Sequence, residues 1–122
     1  MIRQFRSDQP IYTQLVGQWK REIASGLLPP GERMPSVRDL AAEMGVNPNT
    51  VQRALQELER EGLIYTQRTS GRFVTEDAAA IGRCREALAG GLVREFLAAM
   101  TLLGYQRQDI VDLLREEKEE QA

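Results

Sequence analysis

Gly45-Val46-Asn47-Pro48-Asn49-Thr50-Val51-Gln52-Arg53-Ala54-Leu55 is the stretch on which the fold turns. Gly45 stops whatever helix precedes it. Asn47 has a short side-chain oxygen that suits an N-cap, and Pro48, which lacks an amide hydrogen, suits the first helical position. Val51, Ala54, Leu55 and Leu58 then recur on one helical face, and Gly62 closes the segment. Immediately upstream, Ser36 with Asp39 has the form of a capping box, and Val37, Leu40, Ala41 and Met44 give a short apolar side that ends at Gly45. A helix of about two turns, a tight turn and a longer capped helix make a helix-turn-helix unit.

The flanks complete the pattern. Pro10 to Ser25 reads as a first helix, with Ile11, Leu15, Val16, Trp19 and Ile23 on one stripe and Gly26 at its end. Leu27-Leu28-Pro29-Pro30-Gly31 forces an extended turn, and Arg33-Met34 reads as a short strand. Leu63 to Gln67 and Arg72 to Thr75 are rich in β-forming residues around the turn-like Arg68-Thr69-Ser70-Gly71, which predicts a hairpin. Ala78 to Leu103 reads as one long helix broken by Gly104, and Gln106 to about Glu120 as a last amphipathic one. The fold class is therefore mainly α with a small β-hairpin wing. A winged helix-turn-helix domain is expected over residues 1–75 and a two-helix extension over residues 76–122.

The composition removes most alternatives. A chain of 122 residues holds one domain, or one small domain with an appendage, and 42% hydrophobic with 28% charged residues is an ordinary soluble balance. No apolar run approaches the ~18 residues of a membrane helix, and Met1 to Arg6 does not lead into a secretory core, so a cytoplasmic location and no membrane partner are expected. Cys84 is the sole cysteine and histidine is absent, which excludes an internal disulfide and multi-cysteine zinc patterns and removes the commonest general base. Asp8, Glu22, Asp39 and Glu43 show no metal-ligand spacing. Neither an enzyme nor a cofactor is expected. Net charge is −2, yet residues 1–75 balance at +2 and residues 76–122 at −4, a mildly basic part followed by an acidic one.

The exposed side of the third helix carries Asn49, Thr50, Gln52, Arg53 and Gln56 in its first turns. Asn and Gln match adenine bidentately, Arg matches guanine, and Thr can meet a base, a methyl or a phosphate. The start of the helix also offers backbone amides that suit a phosphate oxygen. Glu57, Glu59 and Glu61 occupy the far end, a gradient that would orient the helix on a duplex. Arg68 and Arg72 tip the hairpin with positive charge. Double-stranded DNA is the expected partner; the competing reading is a winged-helix protein-interaction module that never touches DNA.

Several spaced motifs carry a family likeness: Pro10-Ile11-Tyr12 with Gln14-Leu15, the run Leu28-Pro29-Pro30-Gly31-Glu32-Arg33-Met34-Pro35-Ser36-Val37-Arg38-Asp39-Leu40-Ala41, the segment Gly45 to Leu55, then Leu58-Glu59 and Glu61-Gly62-Leu63-Ile64. Over about residues 10 to 75 the chain resembles the GntR family of bacterial transcription regulators. Its short C-terminal part and Gly71-Arg72-Phe73-Val74-Thr75 are similar to the YtrA-like subgroup. The resemblance implies a homodimeric repressor, often of a neighbouring transporter operon, bound to a short palindromic operator. By position it implies that Arg38 contacts phosphate or base, that Asn47, Pro48, Asn49 and Thr50 lie at the entry to the groove, and that Gln52 and Arg53 reach bases. The wing's candidate contacts are Arg68, Ser70, Gly71 and Arg72, with Gly71 allowing close approach to a minor-groove backbone.

The C-terminal part reads as a dimerisation region. Ile81, Cys84, Leu88, Leu92, Val93, Phe96, Leu97 and Met100 cover more of the long helix than the last helix can conceal, so a second copy is the expected cover, with Ile81, Cys84, Leu88, Leu92, Phe96 and Met100 at the interface. Gly90-Gly91 fits either close helix approach or a kink. Cys84 reads as a packing residue, Trp19 and Tyr12 as core or interface aromatics, and Glu116-Glu117-Lys118-Glu119-Glu120 as a solvated helix end. An unidentified small-molecule effector has little room for an internal pocket in so short a tail.

Overall fold

A computed structural model of the chain describes residues 5–121, and the side chains of residues 5–117. Met1 to Gln4, and the side chains of Lys118 to Glu120 in the acidic run, lie outside the described residues. The chain divides into two compact units, Met1–Glu86 and Ala87–Ala122.

The first unit contains α1 (Ile11–Ser25), α2 (Val37–Met44), α3 (Pro48–Arg60), β1 (Ile64–Gln67), β2 (Gly71–Val74) and the opening turns of α4 (Ala78–Leu102). Each boundary has a local cause. Gly26 takes φ 86° at the end of α1, a conformation that L side chains resist. Ser36 Oγ accepts from the Asp39 amide at 3.1 Å to start α2, and Gly45 ends it in the left-handed region. Apolar stripes of α1 and α2 pack against α3, which packs against β1, and Leu15, Trp19, Ile23, Leu40, Val51, Leu55, Leu58, Ile64 and Val74 are all at most 2% exposed.

β1 and β2 pair antiparallel in the register Ile64↔Val74, Tyr65↔Phe73, Thr66↔Arg72 and Gln67↔Gly71. Alternation puts Ile64 and Val74 on the core side, while the Tyr65 and Phe73 rings stack at 5.7 Å on the other. The expected strand at Arg33-Met34 is an isolated bridge to Phe73, with Met34 N–H donating to the Arg72 carbonyl at 2.8 Å and Val74 N–H to the Glu32 carbonyl at 2.8 Å. Glu32 to Met34 thus satisfies the outer edge of β2.

The division between units falls eleven residues beyond the expected boundary after residue 75, and the reason is packing. Asp77 Oδ1 accepts from the Ala79 and Ala80 amides and caps α4. Ala80 and Ile81 are buried against the first core, Cys84 packs beside it, and Arg85 Nε donates to the Ala24 carbonyl in the last turn of α1 at 3.0 Å. The second unit holds the rest of α4, a turn at Gly104 with φ 95°, and α5 (Arg107–Gln121). Among its described residues, Ile110 is the deeply buried side chain, at 3% exposure. No single helix among the described residues is long and apolar enough to cross a membrane.

Candidate nucleic-acid interface

α3 begins as its sequence requires, but its amides are already engaged. Asn47 Oδ1 accepts from the Asn49 amide at 2.7 Å, and the Asn47 carbonyl accepts from Thr50 at 3.0 Å and Val51 at 3.3 Å. Pro48 has no amide hydrogen to offer. The expectation that the start of α3 holds spare N–H groups for a phosphate is therefore corrected: capping uses them. Side chains remain for recognition. Asn47, Pro48, Asn49, Arg53 and Gln56 are exposed, whereas Thr50 and Gln52 are half-buried.

Arg53 rests against a residue of another helix. Its guanidinium carbon sits 3.7 Å from the centroid of the Tyr12 ring, on α1. Pro10, Ile11, Tyr12, Asn49, Thr50 and Arg53 together line an open groove of about 400 Å³ where the starts of α1 and α3 lie side by side. Tyr12, a core or interface aromatic by sequence, packs partly against the first core; helical periodicity within α1 gives no sign of which α3 residue its ring meets. Gln14 also has a role the sequence did not show. Its side chain accepts from the Arg6 amide at 2.8 Å and donates to the Arg6 and Gln9 carbonyls, tying the preceding arm to α1.

Arg38 is exposed in the first turn of α2. Arg68 and Ser70 are exposed at the hairpin turn, where the Ser70 amide donates to the Gln67 carbonyl at 3.1 Å. Two wing expectations need correction. Arg72 is not at the tip: it shares a face with Ile64 and Val74, is half-buried, and its Nε is enclosed without a partner among the described residues. Gly71 meets its own chain first. It has φ 105°, and a Cβ there would stand 3.2 Å from Arg33 Nε, so the glycine makes room for Arg33. Arg33, exposed beside the wing, is a cation that sequence reading left out of the interface.

Electrostatics sharpen the contrast between the two ends of α3. Glu57 is bonded to Arg60, Glu61 pairs with Lys20 at 2.7 Å, and Glu59 accepts from the Thr66 hydroxyl. Hydrogen bonding from Arg60 holds the Glu57 carboxyl below its ordinary range. Among the described residues, Arg33, Arg38, Arg53 and Arg68 enter no ion pair. The acidic end is thus largely neutralised within the protein, and the cations on the reading side are left over.

Of the residues expected at a dimer seam, Ile81 and Cys84 are otherwise occupied, since both pack on the first core. Burial pushes the Cys84 thiol pKa up, with the Lys20 charge opposing. In the second unit, Leu92 and Phe96 are 65% and 41% exposed, while Leu88 and Met100 are half-buried. A groove of about 430 Å³ there is lined by Leu92, Val93, Phe96, Leu97, Ile110 and Leu114 with Arg107 and Val111.

A two-turn helix, a glycine turn, a proline-started helix with an exposed polar front and a paired hairpin define a winged helix-turn-helix protein of the DNA-binding regulatory class. Residues 11–74 match the family described as bacterial regulatory proteins, gntR family, and the chain belongs to that family. The uncharacterized HTH-type transcriptional regulator YhcF of Bacillus subtilis is 35% identical over 92% of this chain and 93% of its own. The HTH-type transcriptional repressor YtrA of the same organism is 48% identical over 60% of this chain and 56% of its own. Among solved structures, a GntR family transcriptional regulator from Listeria monocytogenes superimposes with TM-score 0.83 at 37% identity, covering 92% of this chain and 98% of that one. The DNA-binding domain of AraR in complex with operator ORR3 matches 62% of this chain and 88% of that one, with TM-score 0.52 and 27% identity.

Proposed function

We propose that this transcriptional regulator is a repressor that binds a palindromic operator as a homodimer, with α3 in the major groove and the wing beside it. The observation that carries the reading is the front of α3: Asn49, Thr50, Gln52 and Arg53 stand ahead of a helix whose acidic rear is paired off. Gln52 and Arg53 read bases; Arg33, Arg38 and Arg68 engage phosphates, which makes affinity fall with salt at a slope of about −0.9 per phosphate neutralised.

The second unit supplies the pairing. Leu92, Val93, Phe96 and Leu114 are 41–65% exposed around one groove. Covering each large apolar side chain contributes ~1.5–3 kcal/mol, so four per subunit offset the several kcal/mol lost on association. A two-fold pair places two reading helices about 34 Å apart, on successive major grooves of one side of the duplex. Incubating the protein with unselected genomic fragments and sequencing what it retains tests the reading. Enrichment of one inverted repeat, by a species that sediments as a dimer, is expected; uniform recovery, or a monomer at micromolar concentration, refutes it.

A further inference from the structure

We infer that Tyr12 is a positioning residue for base reading: its ring fixes the Arg53 guanidinium in the orientation that recognises one base pair. The inference rests on the reading of α3 as the base-contacting helix. Arginine has four side-chain torsions, and an exposed arginine at the rim of a helix samples many rotamers before it meets a base. Here the guanidinium is held 3.7 Å over the Tyr12 ring, a face-on cation–π distance. Tyr12 is itself half-buried and packed on the first core, so the platform moves with α1 and not with solvent. The N–H donors of a guanidinium lie in its own plane. A guanidinium lying flat on the ring keeps its edge free for bidentate donation to guanine.

The neighbours support this assignment. Asn49 and Thr50 lie four and three residues before Arg53, on the same stripe of α3, and share its groove with Tyr12. A ring that orients Arg53 thus aligns three recognition groups along one edge. No ion pair competes for Arg53 among the described residues. Without the ring, the charge would remain and still attract DNA, but the fixed edge would not. Loss of the ring should cost discrimination more than it costs general DNA affinity.

The test uses the full chain and a pool of random-sequence duplexes, with bound DNA recovered, sequenced and aligned into a recognition motif. Arg53→Ala identifies the motif position that depends on Arg53. Tyr12→Leu keeps apolar packing but removes the ring; it should flatten that same position, weaken binding to the wild-type motif about three- to tenfold, and leave the salt slope unchanged. Tyr12→Phe and Tyr12→Trp retain a ring and should keep the position sharp, and these two carry the test if the leucine variant melts below the assay temperature. A sharp position in Tyr12→Leu, or a flattened one in Tyr12→Phe, overturns the inference, the latter because the hydroxyl and not the ring would then be the acting group. If Arg53→Ala flattens no position while the wild type still yields a motif, Arg53 reads no base and the inference falls while DNA recognition stands. If the wild type yields no motif, sequence-specific reading falls with it.

Discussion

Replacing Asn47 separates two roles that one side chain could play. Its Oδ1 folds back on its own backbone, accepting from the Asn49 amide at 2.7 Å, directly before the proline that opens α3. Alanine removes that acceptor and should destabilise the fold by about 1 kcal/mol, within the ~0.5–2 kcal/mol range of N-cap losses. For a domain the size of the first unit, that is a fall in Tm of about 4–8 °C. Serine supplies another short acceptor and should return most of the loss. Aspartate also caps, and its charge sits at the positive end of the helix, so its Tm should equal or exceed that of the wild type. On DNA the order changes. Aspartate brings a negative charge to the face that meets phosphates and should bind most weakly, whereas serine should bind nearly as the wild type does.

Thermal unfolding followed by circular dichroism gives the first order, and titration with the enriched inverted repeat gives the second. The two rankings must diverge at aspartate. An alanine variant that melts with the wild type would refute the reasoning, because the 2.7 Å bond would then contribute nothing. A serine variant that is stable but loses selectivity at one base pair would assign the leftover amide group of Asn47 to base contact.

Leu92→Glu puts a charge on a side chain that is 65% exposed in the lone chain, so it should fold normally yet sediment as a monomer and bind the inverted repeat far more weakly; a persistent dimer would refute the seam. Gly71→Ala forces an L side chain to φ 105° with its Cβ 3.2 Å from Arg33 Nε, and should lower stability in urea by about 1–3 kcal/mol; an unchanged midpoint would show that the wing relaxes freely. Cys84 has its native pKa raised by burial, so the stability linked to its neutral thiol is intact below the unfolded-chain pKa and is lost as pH rises through the native one. Iodoacetamide at pH 8 should accordingly label native Cys84 more slowly than the same residue in urea, and equal rates would remove that linkage.

The backbone signals were the most legible part of the chain because each acts within a few residues. Ser36 with Asp39, Asn47 with Pro48 and glycines 26, 45 and 104 mark helix ends through local hydrogen bonding or positive φ, and the structure places the boundaries there. Long-range partners were not legible. Periodicity put Ile81 and Cys84 on the same stripe as Leu92 and Phe96, but a stripe does not say where along a helix one neighbour gives way to another; the first two face the winged-helix core. The hairpin shows the same limit. Arg72 follows a turn and looks like a tip residue, yet the register with Thr66 sets it on the face of Ile64 and Val74.

That limit bears on where specificity resides. Hydrogen bonds that fix the start of α3 consume the Asn49, Thr50 and Val51 amides and the Asn47 oxygen, so the first turn is rigid but has fewer free groups than its composition suggests. On the reading proposed above, discrimination then falls to side chains, Asn49, Thr50, Gln52 and Arg53, and to whatever holds them. Arg53 is held from another helix, by Tyr12. If Tyr12 positions Arg53 for base reading, a mutation in α1, remote in sequence from α3, blunts one base preference without touching DNA itself. Two homologues with identical α3 sequences but different residues at the Tyr12 position should differ in the sharpness of one base-pair preference.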